Sequence, residues 1–340
     1  MLRFPPLSAL AAALTLGCSA QTFSHIASAI AAASTPPSAG EVHEDIFSSN
    51  ALGVRKHAVV YLPPSYGKDT TRRFPVAYYL HGLSGTETDW ISKGSIDNAA
   101  DSLFARGTAE MIIVLPDGDD GWYTTWTTSV PFRTCADTVR VESADRYCVQ
   151  RARYDDYIAR DLVQFIDGKY RTLRDPGHRG IGGLSMGGYG ALAIALEYPE
   201  VFGAAASHSG VVSPMYTGPK PFAAPAKFGA TVEEIRPTTG AFWPRYEMFW
   251  GSNIERWRAA DPAHIAEALR RRGGRVPAIF FDCGIEDGFI DQNRALDSEL
   301  TRLQITHRYT EHPGAHTWRY WSTHVKESLA WMGSEIGSRR

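Results

Sequence analysis

The five residues Gly183-Leu184-Ser185-Met186-Gly187 set a serine between two glycines in the pattern G-x-S-x-G. A serine hydroxyl is a weak nucleophile at neutral pH and needs a base beside it to take its proton. The pattern alone is common; its setting gives it chemical meaning. An apolar, strand-like run at 180–184 precedes it, and an Ala/Leu-rich, helix-like run at 187–198 follows and stops before Pro199. A serine on a sharp strand-to-helix turn is presented above the sheet, and small flanking residues let strand and helix approach closely. The Met186 N–H, at the start of that helix, would then face the negative oxygen of a reacting ester. Gly188-Tyr189-Gly190 with Ala193 also resembles a dinucleotide fingerprint, but it falls inside the helix rather than in the turn before it.

A serine nucleophile needs a base, and the base needs an acid to orient it. On an α/β sheet of this kind they follow in the order serine, acid, histidine. Asp287 lies on the loop after the apolar run 276–281, within Asp282-Cys283-Gly284-Ile285-Glu286-Asp287. Its distance beyond the strand lets it reach an imidazole; Asp282, Glu286 and Asp291 are its rivals. His316, in Pro313-Gly314-Ala315-His316-Thr317-Trp318, follows the last strand-like run and precedes the last helix-like run, with His312 and His324 as competitors. The loop His81-Gly82-Leu83-Ser84-Gly85 follows another strand-like run, and its glycines permit a tight backbone path that would point the Leu83 N–H at the same oxyanion.

The elements that must hold these residues alternate. Strand-like runs are expected at 56–62, 76–80, 111–115, 180–184, 204–206, 276–281 and 306–310, and helices at 155–170, 187–198, 292–303 and 318–332. Several strand runs are continuously apolar, as in strands covered on both faces. This predicts an α/β fold with a mostly parallel central sheet, helices on both faces and functional loops at the carboxyl ends of the strands. Residues 212–261 break the rhythm with prolines, glycines and many aromatics, and read as an irregular cap insertion over the site. Arg270-Arg271-Arg272 before Gly273-Gly274 reads as the polar end of a helix.

The chain of 340 residues carries 35 basic and 37 acidic residues. That balance creates no global field favouring nucleic acid or an anionic membrane. Arg3 followed by an apolar stretch at 7–16 reads as an export signal at 1–20, too short to span a bilayer, then a Ser/Pro-rich linker at 21–40 and the main domain at 41–335. The protein is therefore expected to be secreted or periplasmic; the competing reading is a lipoprotein anchored through Cys18. Export would let Cys135 and Cys148 pair, while Cys283, in an apolar run, is expected as a buried free thiol. The histidines are scattered without ligand spacing, so neither a metal nor an organic cofactor is expected. Oligomeric state leaves no mark in the sequence.

Taken together, several stretches resemble the esterase D family of α/β hydrolases. These are Tyr79-Leu80-His81-Gly82-Leu83, Asp89-Trp90, Ile96-Asp97-Asn98, Val114-Leu115-Pro116-Asp117-Gly118, Trp122-Tyr123, the run 183–188, the run 207–210 and the segment 314–318. The family includes S-formylglutathione hydrolases, feruloyl and acetyl-xylan esterases, enterochelin-type esterases and mycolyltransferases. The resemblance implies the α/β-hydrolase fold, Ser185, His316 and Asp287 as nucleophile, base and acid, and Leu83 and Met186 as oxyanion donors. It also implies that Asp89, Trp90, Trp122 and Tyr123 lie near the substrate. The insertion at 130–147 and the export signal depart from the cytosolic formylglutathione branch. The expected activity is hydrolysis of an aryl, acyl or carbohydrate-linked ester. An acyltransferase of the mycolyltransferase type would use the same triad, and a non-catalytic binding protein would have no need of it.

Overall fold

The computed structural model of the protein describes residues 39–128, 148–149 and 151–337. The expected signal, Cys18, almost all of the linker and Cys135, the expected partner of Cys148, lie outside the described residues.

The first strand, β1 (Glu41–Ser49), pairs antiparallel with β2 (Val54–Leu62). Next come β3 (Val76–Leu80), two short helices α1 (Asp89–Ser92) and α2 (Ile96–Phe104), and β4 (Ile112–Pro116). A continuous helical stretch, α3, runs through Tyr154–Asp156, a π-helical segment Tyr157–Leu162 and Val163–Lys169. Then β5 (Arg179–Leu184), α4 (Met186–Glu197) and β6 (Ala204–His208) follow. A two-stranded ribbon, β7 (Tyr216–Gly218) with β8 (Lys227–Phe228), leads to α5 (Val232–Thr239), α6 (Trp243–Trp250), α7 (Ile254–Ala260) and α8 (Pro262–Arg271). The chain closes with β9 (Ala278–Gly284), α9 (Ile290–Arg302), β10 (Arg308–His312) and α10 (Trp318–Ile336).

The strands form one eight-stranded sheet in the order β1-β2-β4-β3-β5-β6-β9-β10, antiparallel at β1–β2 and β2–β4 and parallel from β4 onward. All five residues of β3 and all five of β4 are buried, as strands covered on both faces must be. Alternate residues feed two cores. Val76, Tyr78 and Leu80 pack with α3, α4, α8 and α9, while Ala77 and Tyr79 pack with α1, α2 and α10. This is the α/β-hydrolase architecture.

The strand after residue 276 begins later than its apolar run suggests and extends to Gly284, and the last strand is shifted the same way, to Arg308–His312. β1 carries no periodic signal because only Asp45, Phe47 and Ser49 turn inward from an otherwise exposed edge strand. The segment 212–261 is also more regular than its composition implies, since a ribbon and three helices occupy it. Its aromatics build their own core. Trp250 and Trp257 ring centroids lie 4.9 Å apart, and Tyr246 stands 5.2 Å from Trp122 of the main domain.

The turn between β5 and α4 depends on absent side chains. A Cβ on Gly187 would stand 2.4 Å from the Leu80 carbonyl oxygen and 2.5 Å from that of His81, neither of which can retreat without breaking the adjoining backbone. Gly187→Ala is therefore expected to cost about 3 kcal/mol or more. Urea unfolding checks this, and an unchanged midpoint would refute the close approach.

Candidate active site

Ser185 caps α4 with φ 53° and ψ −119°, a backbone conformation that costs a non-glycine residue about 1–3 kcal/mol. The strain lifts its hydroxyl out of the sheet, at the carboxyl end of β5. His316 sits on the loop between β10 and α10, and Asp287 on the loop between β9 and α9. Three loops from neighbouring strands thus converge. His316 Nε2 lies 2.9 Å from Ser185 Oγ, and His316 Nδ1 lies 2.8 Å from Asp287 Oδ2. The Asp287 side chain is fully buried, and its other oxygen accepts from Phe289 N at 2.9 Å, so one oxygen is left for the imidazole. The His316 ring stands between two aromatic edges, Phe289 at 5.1 Å and Trp321 at 4.8 Å between centroids.

The rivals for these positions are engaged elsewhere. Asp282 faces His208, Glu286 accepts from Gly314 N, and Asp291 accepts from Phe222 N at 2.7 Å. His312 and His324 both turn to Glu327, at 3.4 and 2.8 Å. These three form a group that sequence spacing hides. The two rings are stacked, 4.0 Å apart and 19° from parallel, so their in-plane lone pairs run side by side rather than meeting at one point. Their ligand atoms and those of Glu327 lie within 4.8 Å of one another. A second convergence of ionisable groups, Glu44, His57 and Glu87, is partly exposed.

A cleft of about 430 Å³ opens over Ser185 and His316. Gly82, Leu83, Asp89 and Trp122 line it, together with Val211, Phe242, Phe289, Trp318 and Trp321. Of the four residues expected near the substrate, Asp89 and Trp122 therefore face the cleft. Trp90 and Tyr123 do not. Both stand behind the wall, Trp90 Nε1 donating to the Leu80 carbonyl at 3.0 Å and the Tyr123 hydroxyl to the His81 carbonyl at 3.2 Å; Trp122 reaches the cleft but is as deeply buried, at 1% exposed. Phe242, Phe289 and Trp321 carry no local sign of this role, because their positions depend on how separate loops meet. Trp318 does carry one, two residues past His316 at the start of α10.

The orientation of Leu83 follows from its neighbours. The Gly82 carbonyl is held by Gly85 N at 3.0 Å and by His81 Nδ1 at 2.8 Å. His81 Nε2 accepts from Gly118 N at 2.8 Å, which leaves the ring proton on Nδ1 to bind that carbonyl. In a trans peptide the next N–H, that of Leu83, points the opposite way. A Cβ on Gly82 would stand 2.7 Å from Leu184 Cδ1, so only glycine brings this loop against the Ser185 turn. Met186 N is the first amide of α4 and belongs to the set that a helix leaves without internal partners. Leu83 and Ser185 line the same cleft, and Met186 follows Ser185 directly in the chain.

The esterase family model, described as "Putative esterase", matches residues 49–332. The chain belongs to this esterase family. An acetyl esterase of Caldicellulosiruptor saccharolyticus is 23% identical over 75% of this chain and 82% of its own length. An esterase of Mycobacterium tuberculosis is 26% identical over 80% of this chain, which spans only 55% of that relative. A solved ferulic acid esterase superposes with TM-score 0.63 at 24% identity, over 87% of this chain and 98% of its own, a likeness of fold.

Beneath the loop 81–85 the esterase buries a charge cluster. Lys56, with a fully buried side chain, contacts Asp117 at 2.5 Å and Asp119 at 2.8 Å. Burial works to lower the Lys56 ammonium pKa, but Asp119 and Asp117 outweigh it and hold it above the ordinary lysine value. Burial likewise pushes the Asp117 carboxyl up, yet the Lys56 ammonium prevails and holds it well below the carboxylate range. A depressed carboxyl stabilises the fold above its unfolded pKa of about 3.9 and loses that contribution as pH falls through the lower folded value. Lys56→Met leaves two carboxylates without their cation and is expected to cost about 3–5 kcal/mol at neutral pH. The deficit against wild type should shrink on acidification toward pH 3. Paired urea titrations at the two pH values check it, and a deficit that grows in acid would refute the argument.

Proposed function

We propose that the esterase hydrolyses its substrate through an acyl-enzyme on Ser185, with His316 as base and Asp287 as orienting acid. The observation carrying this reading is the continuous run of contacts from Asp287 Oδ2 through the His316 ring to Ser185 Oγ. His316 Nε2 takes the hydroxyl proton as Oγ bonds to the ester carbonyl carbon. The Leu83 and Met186 amides hold the resulting oxyanion. Collapse of the tetrahedral species breaks the bond to the alkoxide, which leaves with the proton from His316. Water then repeats the sequence, freeing the acid and restoring Ser185.

The walls of the cleft favour a flat aryl group in the ester. Phe242, Phe289, Trp318 and Trp321 offer ring faces and edges, and aromatic pairs gain about 0.5–1.5 kcal/mol beyond their buried area. The substrate class is thus an aryl or short acyl ester, free or attached to carbohydrate. Phe242 places segment 212–261 at the rim, which supports its reading as a cap. The N-terminal pattern of a basic residue and a short apolar stretch supports export.

A fluorophosphonate with intact-mass detection tests the chemistry. One adduct on wild type and none on Ser185→Ala is the expected result; no adduct on folded wild type would refute the reading. Higher kcat/KM for methyl cinnamate than for methyl octanoate is expected for the cleft, and the reverse order would remove the aryl assignment.

A further inference from the structure

A second serine–histidine–aspartate arrangement lies directly behind the first, where no ester can reach it. His208, at the end of β6, and Asp282, in β9, are register partners on adjacent parallel strands, and both are 0% exposed. His208 Nδ1 stands 2.6 Å from Asp282 Oδ2, a close contact in which the ring N–H direction runs off the line to the oxygen. On its other side His208 Nε2 lies 2.7 Å from Ser328 Oγ in α10. Ser328 gives its own proton to the Val325 carbonyl at 3.0 Å, so its oxygen accepts from His208 and from the Tyr79 hydroxyl at 2.9 Å. The Tyr320 hydroxyl donates to Asp282 Oδ1 at 2.8 Å.

Each end of this network reaches one arm of the site above. The His208 carbonyl accepts from Ser185 N at 2.9 Å, so the nucleophile's backbone hangs from His208. Ser209 N donates to the Asp282 carbonyl at 2.8 Å, joining the two strand ends once more. Asp282 leads within five residues to Asp287. Tyr320 lies four residues past His316 in the first turn of α10. A buried pair with a single geometry thus touches the roots of all three loops.

We propose that His208 and Asp282 are positioning residues, a buried pair that keeps Ser185, His316 and Asp287 in register without touching substrate. The inference rests on the reading of Ser185 and His316 as the reacting pair. Misplacement of reacting groups by about 1 Å can lower a rate by about a hundredfold, so a partial loosening is expected to cost about tenfold. The loss falls on kcat, because no cleft-lining residue changes.

Removing one partner alone strands a buried charge and risks the fold. The informative variant is the double replacement His208→Leu with Asp282→Asn. The amide oxygen introduced by Asp282→Asn can still accept from Tyr320, Ser328 keeps Val325 and Tyr79, and the pair leaves no charge behind in the core. This variant is expected to melt near wild type, to lose about tenfold or more in kcat, and to keep KM within about twofold. Its fluorophosphonate labelling rate should fall in parallel. In a second comparison His208→Asn, whose amide takes the place of Nδ1 before Asp282, should retain more kcat than His208→Gln, whose amide faces Ser328. A folded double variant with wild-type kcat would overturn the proposal, as would equal kcat for the Asn and Gln variants. Failure of wild type to label would strike the Ser185 reading instead, so the two failures are distinguishable.

Discussion

Ser185→Ala is expected to leave the esterase folded and to lower kcat by about a millionfold, the scale seen when a nucleophile is removed from an intact triad. The change deletes one oxygen from a residue 8% exposed and adds nothing. Both serine and alanine carry a Cβ, so the cost of φ 53° is the same in each and stability should move by less than about 1 kcal/mol. His316 keeps Asp287 and stays reachable by water, its side chain being 31% exposed. The Leu83 and Met186 amides proposed to hold the oxyanion remain, so a residue of about 10³-fold over water should survive. Melting temperature and kcat measured on the same preparation decide it. A folded variant within about tenfold of wild type would place the nucleophile elsewhere.

How much of this was legible in advance differs by residue. The serine and its turn carry a local pattern, since Gly183 and Gly187 are required by contacts with neighbouring backbone. His316 was marked by order along the chain. Asp287 was separated from Asp282 only by loop length, and the fold supplies the reason: Asp282 is still inside β9, facing His208. Trp90 and Tyr123 show the limit. A tryptophan beside the cleft and one behind it look alike in sequence, because the difference is the direction of a side chain around a loop. β1 stayed hidden for a related reason: an edge strand with one covered face needs few apolar residues. The segment 212–261 misled by composition, as prolines and glycines there punctuate short helices instead of dissolving them.

Asp287→Asn is expected to lower kcat by about ten-thousandfold with the fold retained. The mechanism is a wrong tautomer. Asp287 Oδ1 accepts from Phe289 N at 2.9 Å, and an asparagine oxygen will keep that bond because its amide nitrogen cannot accept. The amide N–H₂ is then turned to His316 Nδ1, where a carboxylate oxygen lay at 2.8 Å. A donor in that place makes Nδ1 the acceptor and moves the ring proton to Nε2, so His316 can no longer take the Ser185 proton. Binding is untouched, so KM should stay within about threefold. Glu286 cannot substitute, since it is held by Gly314 N. The comparison with the double variant, His208→Leu with Asp282→Asn, sharpens the test. Asp282 supports the site from behind, so its loss should be closer to tenfold, about three orders of magnitude smaller. Measuring kcat for both variants ranks the two carboxylates, and the opposite ranking would move the orienting acid from Asp287 to Asp282.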